Sequence, residues 1–163
     1  MADEERGYIR SRLIGRAWEN TQMKYKVFVD TNILLSGIFF EGNESSILDM
    51  VELDLITCED AVIELQRVVR KKLKYLKERT FEIALAETEK ALTDIAIIPR
   101  TKYSNKIKEA EFLIKHKKDI PILAAVLFVK PDYFLTGDAH FFNDHIKSIA
   151  NVVTAKDFLA KIK

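Results

Sequence analysis

The stretch Lys26-Val27-Phe28-Val29-Asp30-Thr31-Asn32-Ile33-Leu34-Leu35-Ser36-Gly37 decides the fold. Val27, Phe28 and Val29 form a short apolar run of β-formers, which suits a strand buried on both faces in the middle of a parallel sheet. The run ends at Asp30, Thr31 and Asn32, small polar residues that favour caps and turns over strand. The stretch therefore reads as a central strand that delivers a carboxylate to its carboxyl end, the edge where open α/β sheets bind ligands. Taken alone, a simpler account serves slightly better: Asp30 caps the turn of helix that begins at Ile33.

The length of 163 residues favours one domain, and 48% hydrophobic with 31% charged residues allows a real core in a soluble chain. The longest apolar run, Ile120–Val129 with Pro121 inside it, is too short to span a bilayer, and the charged N-terminus does not read as a secretory signal. No membrane association is expected. Cys58 is the sole cysteine, so no internal disulfide forms and a reducing cytoplasm fits. One cysteine with His116, His140 and His145 scattered along the chain does not make a zinc cluster. A net charge of +1 confines any nucleic-acid surface to a local patch.

Residues 1–24 precede the first strand. Ile9, Leu13, Ala17 and Trp18 recur at helical spacing, so this is expected to be an extension outside a domain of residues 25–163, helical or disordered. Ser45 or Ser46 is expected to cap a helix to about Leu53, and Leu55–Thr57 reads as a second strand. Glu59 and Asp60 open a helix at the positive end of its dipole. If its buried stripe runs through Ala61, Leu65 and Val68, Glu64 faces the core side, which is costly unless it is paired or binds metal. If the stripe is centred on Val62, Leu65 and Val69, Glu64 lies at its edge. Arg67, Arg70, Lys71, Lys72, Lys74, Lys77 and Arg79 then put seven cations in thirteen residues. Such a run is by default a solvated face, and its functional reading is a phosphate-contacting patch with Tyr75 as a stacking partner. A helix over 80–93 and a third strand over Ile95–Ile98 follow, then a basic segment and a helix over Ile107–His116. Asp119 suits an N-cap, with Pro121 in the first turn of a helix that is apolar all round and so buried. Tyr133–Thr136 is a fourth strand, handing over at Gly137-Asp138 to a helix over Ala139–Asp144. Val152-Val153 is a fifth strand, and Thr154 caps a last helix to about Ile162. The alternation gives a mainly parallel sheet covered on both faces.

Each acid has a structural explanation by itself, but all share one topological property. Asp30 and Asp138 each follow a strand, Asp119 begins a helix, and Glu64 lies about a turn into its own. In a βαβ sheet, strand carboxyl ends and helix amino ends lie on one edge. Four carboxylates there repel one another unless a hard cation such as Mg²⁺ resolves the charge. Two ions ~3.5–4 Å apart would suit phosphodiester cleavage.

At this point the chain resembles the PIN-domain family, over nearly all of residues 25–163. The matching motifs are Val-Phe-Val-Asp30-Thr-Asn32 with Ser36, Glu64 in Val-Ile-Glu-Leu, Asp119 in Asp-Ile-Pro-Ile-Leu-Ala-Ala, and Leu-Thr136-Gly-Asp138. One such motif is weak; all four in order are specific. The layout looks most like the PIN-family toxin components of toxin–antitoxin systems, relatives of the VapC toxins. The resemblance implies an α/β/α sandwich with about five strands and an endoribonuclease using one or two Mg²⁺ or Mn²⁺ ions. It assigns Asp30, Glu64, Asp119 and Asp138 to the catalytic metal site and Asn32, Ser36 and Thr136 to supporting positions. RNA would be the substrate, held in part by Arg67, Arg70, Lys71, Lys72 and Lys74, with an antitoxin as partner and a homodimer as the assembly. One departure bears on the second metal: His140 stands where many members carry a further acid. Asp144 is a candidate substitute.

Three other readings remain at this level. A non-catalytic RNA-binding PIN domain is compatible with the missing fifth acid. A nuclease of RNA processing or decay needs no antitoxin. A phosphotransfer protein using Asp30 as nucleophile resembles haloacid-dehalogenase-type phosphatases only superficially, because their motif has a second Asp where this chain has Asn32.

Overall fold

The computed structural model describes residues 24–73 and 78–162. The expected helical extension before Lys24 lies outside the described residues, as do Lys74, Tyr75 and Lys77 of the basic run.

Five strands, β1 (Tyr25–Val29), β2 (Leu53–Cys58), β3 (Ala96–Ile98), β4 (Tyr133–Leu135) and β5 (Val152–Val153), form one sheet in the order β3-β2-β1-β4-β5. Every pairing is parallel. β1 is central as the sequence predicts: Val27, Phe28 and Val29 are each 0% exposed. Because strand side chains alternate, the run feeds two cores at once. Val27 and Val29 join a cluster with Leu34, Leu55, Leu65, Leu135 and Phe158 on one face. Phe28 joins Ala61, Tyr103, Leu123, Phe134 and Phe141 on the other. There Phe28 meets Phe134 edge to face at 5.6 Å, and Phe134 meets Phe141 at 4.9 Å. Truncating such a buried aromatic to alanine costs about 3–5 kcal/mol.

The chain winds outward from β1 to β2 and β3, then returns to place β4 on the other side of β1. The β1–β4 boundary is thus the switch point of a doubly wound sheet, and the crevice beyond its carboxyl ends is the expected ligand position. α1 (Thr31–Phe39) leaves β1 directly and packs on α2 (Asn43–Leu48). Gly37 permits that approach, since a Cβ there would lie 2.4 Å from Leu48 Cδ1. α3 (Glu59–Leu73) follows β2 and packs on α4 (Glu78–Leu92). The short α5 (Arg100–Tyr103) and α6 (Ile107–Leu113) lead to α7 (Ile120–Val129), whose residues Ile122 to Val126 are all buried, as an all-apolar helix requires. α8 (Asp144–Lys147) and α9 (Ala155–Lys161) close the chain. No helix among the described residues is long and apolar enough to cross a membrane.

Several boundaries differ from the sequence reading. α2 begins at Asn43, with Ser45 inside it reaching back to accept from Gly42 N at 2.9 Å, and ends at Leu48; β2 already starts at Leu53. The basic segment after Pro99 contains α5, because the buried Tyr103 anchors it. α6 stops at Leu113 and leaves His116 in the following turn. The helix expected over Ala139–Asp144 is a 3₁₀ turn over Ala139–Phe141, followed by α8, which Asn143 caps through Ile146 N at 2.9 Å. Thr154 caps α9 as expected, accepting from Asp157 N at 3.1 Å.

Candidate active site

Beyond the carboxyl ends of β1 and β4 lies a cleft of about 500 Å³. Asp30, Asn32, Glu64, Asp119 and Asp138 line it together with Thr31, Asp60, Arg67 and Lys118. Four chain segments far apart in sequence thus bring the four predicted acids to one cavity.

Asp30 is 5% exposed, and three donors fix its carboxylate. Thr136 Oγ1 donates to Oδ2 at 2.7 Å, Asn32 Nδ2 to Oδ2 at 3.2 Å, and Thr31 N to Oδ1 at 2.7 Å. The last is a helix-cap bond, so Asp30 does cap α1, yet the other oxygen is held by side chains around the cleft. Burial pushes the Asp30 carboxyl up to about 6; the bonds from Thr136 and Thr31 pull the other way, and Asp119 and Asp138 add to the rise.

Asn32 and Thr136 do the holding that their positions suggest. Asn32 Oδ1 accepts from Gly137 N at 2.9 Å, tying the start of α1 to the end of β4. Thr136 Oγ1, fully buried, also accepts from Asp138 N at 3.0 Å and from Asn32 Nδ2 at 3.4 Å. Ser36, further along α1, is half-buried and is not among the residues that line the cleft.

Asp119 occupies the N-cap position of α7 but makes no side-chain cap bond; only its backbone carbonyl enters the helix, accepting from Leu123 N at 2.9 Å. Its Oδ2 instead lies 3.0 Å from His140 Nδ1. The same ring nitrogen is 3.1 Å from Asp138 Oδ1, so one imidazole bridges the two carboxylates. Burial raises the pKa of Asp119, the nearby Asp138 raises it further, and the contact with His140 partly offsets both.

On α3 the fully buried stripe is Ala61, Leu65 and Val69, with Val62 and Val68 half-buried. Glu64 falls at the edge of that stripe, where the cleft wall lies, and pairs with Arg67 one turn on. Of the basic run, Arg67 reaches the cleft, while Arg70, Lys71 and Lys72 are exposed further along α3. Asp144, the candidate fifth acid, is exposed on α8 and does not line the cleft.

Two charged cleft groups were not singled out as site residues from sequence. Lys118 adds a cation beside Asp119, a signal visible only in the Lys117-Lys118-Asp119 adjacency. Asp60 accepts from the Tyr103 hydroxyl and lies 3.6 Å from Arg100 Nε, so its carboxylate is engaged in holding α5 to α3. Nucleophilic thiol chemistry is excluded by burial: Cys58 is 0% exposed and its thiol is pushed up to about 12.

The arrangement fits a hard divalent cation. Asp30 is held by three donors in the geometry of an ionised carboxylate while burial and two neighbouring acids press it towards protonation. Asp119 offers a carboxylate that its helix does not use. An oxygen donor set of this kind suits Mg²⁺ or Mn²⁺.

The fold has counterparts among known proteins. No curated protein matches the chain. Among solved structures the chain is similar to VapBC2 from Rickettsia felis bound to a DNA fragment from their promoter, at 18% identity and a TM-score of 0.58, over 79% of this chain and 98% of that one. It is also similar to a toxin–antitoxin complex from Klebsiella pneumoniae, at 20% identity and a TM-score of 0.53, over 79% of this chain and 97% of that one. At these identities the likeness concerns the fold. The family model for the PIN domain matches residues 28–155, a span that begins inside β1, ends in α9 and includes Asp30, Glu64, Asp119 and Asp138; the chain belongs to the PIN-domain family.

Proposed function

We propose that this protein is a Mg²⁺- or Mn²⁺-dependent endoribonuclease and the toxin of a toxin–antitoxin pair, with residues 25–163 as the nuclease domain and residues 1–24 as an extension. One observation carries the reading: Asp30, Asp119 and Asp138 converge with Glu64 on a single cleft at the switch point of the sheet. Asp30, Asp119 and Asp138 would hold the ion directly or through water. When bound, one or two such ions supply charge stabilisation and an activated water for phosphodiester hydrolysis. Glu64, at the cleft wall, orients or deprotonates the attacking water, with Arg67 beside it as its partner. Thr136 and Asn32 keep the Asp30 carboxylate aimed, a task whose loss typically weakens metal sites by about 10–100-fold. Arg67 and Lys118 at the cleft, and Arg70, Lys71 and Lys72 beyond it, meet the phosphate backbone of RNA.

The toxin assignment draws on the similarity to the Rickettsia felis VapBC2 and Klebsiella pneumoniae toxin–antitoxin structures, which also motivates an antitoxin partner; a homodimer and a cytoplasmic setting belong to the same proposal. The test is metal-dependent cleavage of a pooled RNA library beside an Asp30→Asn control. Cleavage by the wild type alone, only with Mg²⁺ or Mn²⁺, is the expected result. Binding of RNA without cleavage under any divalent ion would turn the reading to a non-catalytic RNA-binding protein.

A further inference from the structure

We propose that His116, Asp119 and His140 form a nitrogen-containing site for a divalent transition metal at the rim of the cleft, distinct in its donors from the all-carboxylate set around Asp30. The three residues come from two separate segments. His116 and Asp119 span the turn between α6 and α7, closed by Asp119 N donating to His116 O at 3.0 Å. His140 lies in the 3₁₀ turn after β4, where its own N–H donates to Asp138 Oδ1 at 2.9 Å. The two segments meet ring on ring: the His116 and His140 imidazoles stack with centroids 3.8 Å apart and planes 19° apart. One ligand atom from each of the three side chains lies within 4.8 Å of the other two.

Bonds from a Zn²⁺-like ion to imidazole nitrogen and carboxylate oxygen are about 2.0–2.2 Å, so ligands on one ion lie within roughly 4 Å of one another. Both histidines are exposed, so their rings can close the remaining gap by rotation. Asp119 is free to take part because α7 does not use its carboxylate as a cap. Two imidazoles and a carboxylate suit borderline ions such as Co²⁺, Ni²⁺ or Zn²⁺, whereas Mg²⁺ prefers oxygen throughout. His140, which on sequence alone counts only as a missing acid, thereby becomes a ligand that changes which ion the rim accepts. This inference rests on the proposed acidic metal site only through the shared Asp119.

The alternative for the same contacts is an ion pair, with His140 serving only as a cation between Asp119 and Asp138. The two accounts differ in selectivity. Calorimetric titration of the full chain with Co²⁺ and separately with Mg²⁺ gives a ratio of affinities, and the visible absorption of bound Co²⁺ reports imidazole ligation. In His116→Ala and in His140→Ala the ratio of Co²⁺ to Mg²⁺ affinity is expected to fall at least about tenfold, with loss of the imidazole signature. His116→Gln and His140→Gln serve where an alanine variant does not melt cooperatively. Equal ratios in wild type and both histidine variants overturn the site, because removal of a mere ion-pair cation shifts both metals alike. Failure of the nuclease reading would appear separately, as no RNA cleavage by wild type with any ion, and leaves the affinity ratio intact.

Discussion

Thr136 Oγ1 donates to Asp30 Oδ2 across 2.7 Å although 106 positions separate the two residues in the chain. The bond joins the carboxyl ends of β4 and β1 at the point where the sheet reverses its winding. It also keeps a nearly inaccessible carboxylate supplied with a donor, and a hydrogen bond to a charged group contributes about 1.5–3 kcal/mol. Thr136→Val keeps the shape and removes the donor. The variant should lose stability of that order at neutral pH and bind Mg²⁺ more weakly, and Thr136→Ser should restore both. Chemical denaturation and metal titration of the three proteins check this; a valine variant as stable as wild type would mean the bond is dispensable.

The raised Asp30 carboxyl makes the metal-free protein sensitive to pH in a direction opposite to that of a salt-bridged acid. In the folded chain burial pushes the group up to about 6, against an ordinary value of 3.8. Between those values the folded state binds more protons than the unfolded state, so stability falls as pH rises from about 4 to 6. The size is on the order of 3 kcal/mol, and the loss is complete above the folded value. In EDTA, wild type should therefore lose stability relative to Asp30→Asn over that window, while added Mg²⁺ should recover it at pH 7. Parallel pH–stability curves for the two proteins would show that burial does not disfavour the charge.

Much of this fold was legible because its decisive element is short and extreme. Val27-Phe28-Val29 is an uninterrupted run of β-formers ended by small polar residues, which suits a strand covered on both faces, and all five expected strands are present. The four acids were legible through topology: strand ends and helix starts share an edge, so no distance was needed to bring Asp30, Asp119 and Asp138 together. What remained illegible depends on tertiary contact. Asp119 looks like a cap in sequence, and only the absent cap bond with the His140 contact in its place separates the two roles. Glu64 could not be placed until the buried stripe of α3 was seen to run through Ala61, Leu65 and Val69. α5 escaped because its reason for forming is one buried tyrosine rather than a periodic run.

The uncapped Asp119 side chain gives a test that separates ligand from cap. Asn caps a helix about as well as Asp, so Asp119→Asn would be neutral for a plain cap. Here the carboxylate lies among Asp30 and Asp138, and substitution relieves repulsion that burial magnifies. The metal-free variant should melt at or above metal-free wild type. Mg²⁺ at a hundredfold excess over Kd should stabilise wild type by roughly 2.7 kcal/mol and the variant much less. Thermal melts with EDTA and with Mg²⁺ decide it: equal metal-induced shifts in the two proteins would leave Asp119 without a part in metal binding.

The basic face of α3 is the last element open to direct test. Arg67 is committed to Glu64 at the cleft, whereas Arg70, Lys71 and Lys72 are exposed beyond it. If they meet phosphates, each contact releases counterions, and the logarithm of RNA affinity falls with the logarithm of salt by about 0.7 per contact on a single strand. Charge reversal at Arg70, Lys71 and Lys72 should therefore weaken binding across sequences and flatten that slope by roughly 2. Metal affinity should not move, because all three lie outside the cleft lining. Fold stability should fall modestly, because the three cations sit in the last turn of α3 and each is worth about 0.3–1 kcal/mol against the helix dipole. Fluorescence anisotropy against salt, run beside calorimetry with Mg²⁺, reads both quantities on the same protein. An unchanged slope with unchanged metal binding would make the run a solvated helix face and move the search for the RNA path to the other cleft cation, Lys118.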